Sequence, residues 1–298
     1  MEELFINAKD GYQLLINVYE SKNAKAVIQI AHGMEEHQKR YQKFAEFLSE
    51  NGFTVVTANM RGHGPNAKEL GFFAEKQGDL LLVDDQVCIA KYLKDKYSDK
   101  PLYLFAHSMG TIISRVVLQK HSKLYEKVIL SGYPNYQSAA GFGKLVAKLF
   151  GCFKGKKGHS KMLNNLVVGS FNKAIRNPKT NVDWISYNEE NVKKYLEDPL
   201  CGFGFTISGY RDLMSLVVKM HKVENYIDVN KDLKFLLLRG EDDPCVGGTS
   251  GAEDSLNVLL KAGFLDIEKI CYPHKRHEIL NEDNHQQVYQ DCLDFFAK

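Results

Sequence analysis

Leu102-Tyr-Leu-Phe-Ala-His-Ser-Met-Gly110 is the stretch on which the reading of this chain turns. An apolar run ends just before Ser108, and a helical pattern, 111–118, starts just after it. A strand that turns so sharply into a helix crowds the positions two before and two after the serine, so both must be small. Here they are Ala106 and Gly110. Such a turn lifts the hydroxyl clear of the sheet and aims the first helix amides at whatever binds beside it. The plain alternative is a turn serine that caps a helix.

Outward from this turn, short runs rich in β-branched residues (26–31, 54–59, 127–131, 235–239) alternate with longer stretches of helical period (37–51, 80–97, 109–121, 251–262, 284–297). Apolar runs without in-out alternation suit parallel strands covered on both faces. Their alternation with helices predicts a doubly wound, mostly parallel α/β sheet. Residues 4–20 read as a hairpin around Asp10-Gly11 that adds an antiparallel edge, and 265–272 supplies a last strand.

The alternation stops over residues 134–225. That stretch carries 12 Lys and 2 Arg against 3 Asp and 4 Glu, a net +7, whereas the whole chain is +2. The contrast predicts a mainly helical cap inserted between two core strands, with 1–133 and 226–298 forming the core.

A total of 298 residues with 44% apolar and 26% charged side chains describes an ordinary globular chain, and a net charge of +2 is too small for a nucleic-acid partner. No run of about 18 uncharged apolar residues occurs, so no membrane span is expected. The acidic start, Met1-Glu2-Glu3, lacks the features of a signal peptide, and the six cysteines form no C-x-x-C pair. Reduced thiols and a cytoplasmic address follow.

A serine hydroxyl needs a base, and the base needs a third group to orient it. In an α/β-hydrolase layout the acid and then the histidine follow the serine in the chain. Leu236-Leu-Leu-Arg-Gly-Glu-Asp-Asp-Pro244 places two carboxylates beyond a strand's end; Asp243 is preferred, with Asp242 its rival. Tyr272-Pro-His-Lys-Arg-His-Glu-Ile279 offers His274 and His277, of which His277, at the start of the following helical stretch, is the better base. Acyl transfer also needs two amides aimed at the developing oxyanion. One follows the nucleophile, at Met109; the other comes from the loop ending Ile28-Gln-Ile-Ala-His-Gly-Met34, at Met34. The spacing of His32, His37 and His63 matches no zinc motif, and neither metal nor cofactor is implied.

His32-Gly-Met-Glu-Glu-His-Gln-Lys-Arg-Tyr41, Arg61-Gly-His-Gly64, His107-Ser-Met-Gly110, Gly240-Glu-Asp-Asp243 and Arg276-His-Glu-Ile-Leu-Asn281 occur in that order. Together they resemble the monoacylglycerol lipase and lysophospholipase-like branch of the α/β-hydrolase superfamily, bacterial type, from the first hairpin to the last helix. Asp183-Trp-Ile-Ser186 and Asp198-Pro-Leu-Cys-Gly-Phe203 resemble the cap of its bacterial members. The resemblance implies that Glu36 and Arg40 help hold the polar head of a glycerol ester; an ion pair bracing the loop is the alternative. Two positions depart from the pattern. Ala106 stands for the first glycine of the serine turn, and Glu35 for a glycine that often follows the oxyanion residue.

The expectation is therefore a capped serine carboxylesterase for monoacylglycerol-like or other single-chain esters. Ser108 is the nucleophile, His277 the base and Asp243 the acid. Phe142, Phe150, Phe153 and Leu163 are candidates for an acyl tunnel, and lysines 154–157 for transient contact with anionic lipid heads. The alternatives are a lysophospholipase, an aminopeptidase on the same frame, and a non-catalytic binding protein. An aminopeptidase needs carboxylates in the cap, and this cap is basic.

Overall fold

The computed structural model describes residues 1–298, apart from the side chains of Cys152 and Lys154. Eight strands form one sheet: β1 (Glu2–Asn7), β2 (Gln13–Tyr19), β3 (Ala26–Ala31), β4 (Phe53–Ala58), β5 (Leu102–His107), β6 (Lys127–Ser131), β7 (Lys234–Gly240) and β8 (Ile267–Tyr272). Their order is β1-β2-β4-β3-β5-β6-β7-β8. The first two strands are antiparallel, and β4, β3, β5, β6, β7 and β8 run parallel. This is the α/β-hydrolase architecture.

Every residue of β3, β4, β5 and β6 is buried, as central parallel strands covered on both faces require. The opening hairpin differs in detail from a tight two-residue turn. Asn7 pairs with Gln13, and the residues between form a longer loop closed by the Ala8 amide on the Tyr12 carbonyl at 2.8 Å. Strand β2 is buried at all but its first residue because β4 and β1 flank it; the two edge strands, β1 and β8, are largely exposed.

Helices α1 (Gln42–Glu50), α2 (Gly78–Lys96), α3 (Met109–His121), α4 (Ala140–Lys154), α5 (Lys161–Val167), α6 (Gly169–Lys173), α7 (Glu189–Glu197), α8 (Ile207–Met220), α9 (Gly248–Lys261) and α10 (His285–Ala297) complete the molecule. Phe44 of α1 and Val288, Tyr289 and Phe296 of α10 pack on one face of the sheet. Leu82 of α2, Ile113 and Val117 of α3 and Leu259 of α9 pack on the other. Helices α4 to α8 lie between β6 and β7, and this excursion contains no named strand. Its last helix, α8, packs on α2 and α3 as well as on α4, so one end of the excursion is held to the core.

Two lysines of the basic patch offered for contact with anionic lipid heads have acidic or carbonyl partners within the molecule. Lys156 Nζ donates to the Glu75 carbonyl at 2.7 Å, and Lys157 pairs with Glu69 at 2.9 Å. The Lys154 side chain lies outside the described residues. Among the described residues, no helix is long and apolar enough to cross a membrane.

Candidate active site

Ser108 occupies the turn between β5 and α3 at φ 50° and ψ −119°, a backbone region that a residue with a side chain enters only when its surroundings force it. The forcing contacts are visible. The Ser108 amide donates to the Ser131 carbonyl at 3.0 Å, and the Ser108 carbonyl accepts from the Thr111 amide at 2.8 Å. A Cβ at Gly110 would sit 2.3 Å from the Ala31 carbonyl oxygen, so the start of α3 can lie against β3 only with glycine there.

The acid and the histidine arrive from the ends of β7 and β8. Asp243 Oδ2 accepts from His277 Nδ1 at 2.8 Å, and Asp243 Oδ1 accepts from the Cys245 amide at 2.8 Å. Both side chains are buried, Asp243 2% and His277 2% exposed. The loops carrying them interlock at Gly240, where a Cβ would lie 2.2 Å from the Lys275 carbonyl oxygen. Asp242 points elsewhere: its Oδ2 accepts from the Tyr187 hydroxyl at 2.9 Å. His274 is exposed, at φ 51°, and takes no part. Burial pushes the His277 ring towards the neutral form, but the Asp243 carboxylate outweighs it and holds the ring above its ordinary value. His277 Nε2 is buried without a hydrogen-bond partner.

Ser108, His277, Met34 and Met109 line one cavity of about 530 Å³. The amides flanking Met34 and the serine turn are committed: Gly33 donates to Glu36 Oε1 at 2.5 Å, Glu35 to His63 Nε2 at 3.3 Å and Ser108 to Ser131. The hydrogen bonds among the described residues include none donated by the amide of Met34 or Met109. His32 anchors the loop by accepting from the Met60 amide at 3.0 Å. Burial holds both His32 and His107 down to about 4, so both are neutral at physiological pH.

The two residues implied for the head group are placed differently. Glu36 borders the cavity, but its oxygens are filled by the Gly33 amide, the Tyr41 hydroxyl at 2.7 Å and Arg40 at 2.8 Å. Arg40 is not among the residues lining the cavity. Its guanidinium forks onto Glu278 with two contacts of 2.6 Å, donates to Asn191 at 3.0 Å and stacks on Tyr195 at 5.1 Å. Burial works against both carboxylates, yet the Arg40 charge holds Glu36 and Glu278 below their ordinary range. The geometry is that of a brace behind the loop of Met34.

The acyl-tunnel candidates are also displaced. Phe142 and Phe153 are exposed, Leu163 is fully buried, and neither these nor Phe150 lines the cavity. Its apolar wall is built instead from Leu166, Val167, Phe171, Leu213, Met214 and Val217. Trp184, the only tryptophan in the chain, lies with its ring 4.9 Å from that of His277, and Ile185 accepts from the Glu278 amide at 2.7 Å. Sequence reading did not single out Trp184, Tyr195, Asn191 or Glu278 as site residues. The one available signal was that a lone tryptophan falls inside Asp183-Trp-Ile-Ser186.

Residues 22–284 match the family model described as "Serine aminopeptidase, S33", of the Hydrolase_4 family. The chain belongs to this family of hydrolases. Among relatives, the chain is 27% identical to the monoglyceride lipase of Mus musculus over 243 residues, covering 80% of this chain and 72% of that protein. It is 22% identical to the monoacylglycerol lipase of Mycolicibacterium smegmatis, covering 96% and 94%. Among solved structures, a highly thermostable carboxyl esterase from Bacillus coagulans, in complex with glycerol, superposes with a TM-score of 0.91 at 26% identity, covering 99% of this chain and 97% of that one. The molecule is an enzyme of the α/β-hydrolase superfamily.

Proposed function

We propose that this carboxylic ester hydrolase cleaves monoacylglycerol-like, single-chain esters through an acyl-enzyme on Ser108. The observation that carries the reading is the opening of Ser108, the partnerless Nε2 of His277 and the loops of Met34 and Met109 onto one cavity. Ser108 attacks the ester carbonyl while His277 Nε2 takes the hydroxyl proton. Asp243 holds the imidazole in the required tautomer and stabilises its cation. The Met34 and Met109 amides receive the oxyanion. His277 then gives its proton to the leaving alcohol, and activates the water that releases the acid. Relatives named monoglyceride lipase, and a structural neighbour holding glycerol, support the ester class.

The cavity suits such a substrate. Leu166, Val167, Phe171, Leu213 and Met214 offer a long apolar wall, and Glu35, Glu36, Tyr195 and Glu278 a polar end. Residues 134–225 act as the cap that roofs Ser108. Glu36 and Arg40 serve by bracing the loop of Met34, because their polar atoms are already occupied. The test is labelling by a fluorophosphonate probe together with a p-nitrophenyl ester series of increasing chain length and an aminoacyl amide. Wild-type protein is expected to be labelled and to prefer esters; Ser108→Ala loses both labelling and turnover. Aminoacyl-amide cleavage exceeding ester cleavage would favour the peptidase reading instead.

A second reading concerns the surface of α4. Phe142, Leu145, Leu149 and Phe153 are exposed by 69%, 52%, 54% and 87% and follow one another at helical spacing on the outer face. We infer that this stripe touches lipid surfaces transiently, feeding the cavity behind it. Lys156 and Lys157 contribute little because Glu75 and Glu69 occupy them.

A further inference from the structure

Glu35 follows Met34 directly, lines the cavity and is 6% exposed. Its backbone stands at φ 54°, the left-handed region that favours glycine, so a side chain here is kept against a conformational cost. Both ends of the residue are pinned. The amide donates to His63 Nε2 at 3.3 Å, and the carbonyl accepts from the Gly202 amide at 3.0 Å. Backbone motion therefore cannot carry the carboxyl away from the wall.

That carboxyl differs from its two neighbours in the cavity. Glu36 and Glu278 share the Arg40 guanidinium as their counter-ion, and their oxygens are filled. Glu35 has no cation beside it among the described residues. The backbone amides of Gly204 and Phe205 face it, and the Tyr210 hydroxyl stands 3.5 Å from Oε1 while donating to Asn164 at the better distance of 2.7 Å. Burial pushes the group up to about 7. A buried carboxyl with spare acceptor capacity is costly to fold and is retained where a ligand satisfies it.

We propose that Glu35 is the head-group acceptor of this cavity: its carboxyl receives a hydroxyl of the alcohol half of the substrate, so that esters of polyhydroxy alcohols are selected over esters of simple alcohols. The proposal rests on the ester-hydrolase reading and deepens it. A single-chain ester is polar only at its head, and Glu35, Glu36, Tyr195 and Glu278 are polar residues among those lining the cavity. The acyl chain takes the aliphatic lining of Leu166, Val167, Leu213 and Met214. Specificity of this type is strong, since a simple ester leaves the buried acceptor unanswered.

The experiment is a cycle that alters both partners. The kcat/KM for a 1-monoacylglycerol is divided by that for the matched propyl ester, which lacks both hydroxyls. The ratio is measured for wild type, Glu35→Gln and Glu35→Ala. Measured at about pH 8.5, where a group held at about 7 is ionised, the wild-type ratio is expected to exceed one and to fall about tenfold or more in Glu35→Ala, the loss of one hydrogen bond to a charged acceptor. Glu35→Gln keeps the shape and a neutral acceptor and should fall part of the way; it carries the test if the alanine variant does not fold. Ratios within about twofold of wild type in the folded variants would overturn the Glu35 assignment while leaving ester hydrolysis intact. Failure of wild-type protein to cleave either ester would overturn both readings.

Discussion

At the residue scale, the state of His277 governs the proposed chemistry, because only the neutral ring could accept the Ser108 proton. Asp243 holds that ring above its ordinary value against the opposing effect of burial. The base is therefore lost as pH falls through a value higher than that of a free histidine, about 6.5. We expect the acid limb of kcat/KM above that value, moving to lower pH in Asp243→Asn, with turnover reduced about 10⁴-fold. Trp184, whose ring lies 4.9 Å from that of His277, supplies an independent readout. Its fluorescence should titrate with the same midpoint, and an acid limb unmoved by Asp243→Asn would contradict the pairing. Asp243 and His277 were legible in the sequence because each follows a strand whose end is fixed by the sheet. Arg40 was not: its partners Asn191 and Glu278 lie 151 and 238 residues away, and nothing local distinguishes a brace from a binding residue.

At the element scale, α4 presents two faces with different obligations. Ala147 is buried and α4 packs along α8, whereas Phe142, Leu145, Leu149 and Phe153 face outward. Burying one such side chain in a lipid interface contributes about 1.5–3 kcal/mol, so removing two should weaken partition tenfold or more. Phe142→Asp with Leu149→Asp is expected to lose binding to phosphatidylcholine vesicles while turnover of a short soluble ester persists. Because Lys156 and Lys157 are paired, wild-type binding should depend only weakly on salt; a steep salt dependence would shift the credit to the lysines. Sequence reading placed this segment in a mainly helical cap and offered Phe142 and Phe153 as tunnel candidates, whereas both face outward. In an amphipathic helix with apolar residues on two sides, periodicity alone does not tell which side meets the core.

At the scale of the whole molecule, the sheet was the most legible part, since buried parallel strands announce themselves as short β-branched runs between helices. The shape of the cavity was the least legible, because its wall gathers α5, α6, α8 and the Met34 loop from distant parts of the chain. The strand order has a consequence for how the molecule forms. The constellation draws on the ends of β3, β5, β7 and β8, and β7 reaches β6 only after the long helical excursion has been threaded out and back. Pairings of such sequence separation form slowly, since a large loop must close before any contact rewards it. On dilution from denaturant, far-ultraviolet ellipticity should return first, through the local helices, and ester turnover later, with the docking of β7 and β8. Simultaneous recovery of the two signals would argue for a single concerted step. During synthesis, too, a chain halted before Lys234 would carry the proposed nucleophile and both proposed oxyanion loops yet lack Asp243 and His277, so on this reading hydrolytic activity is withheld until the last quarter of the polypeptide has folded.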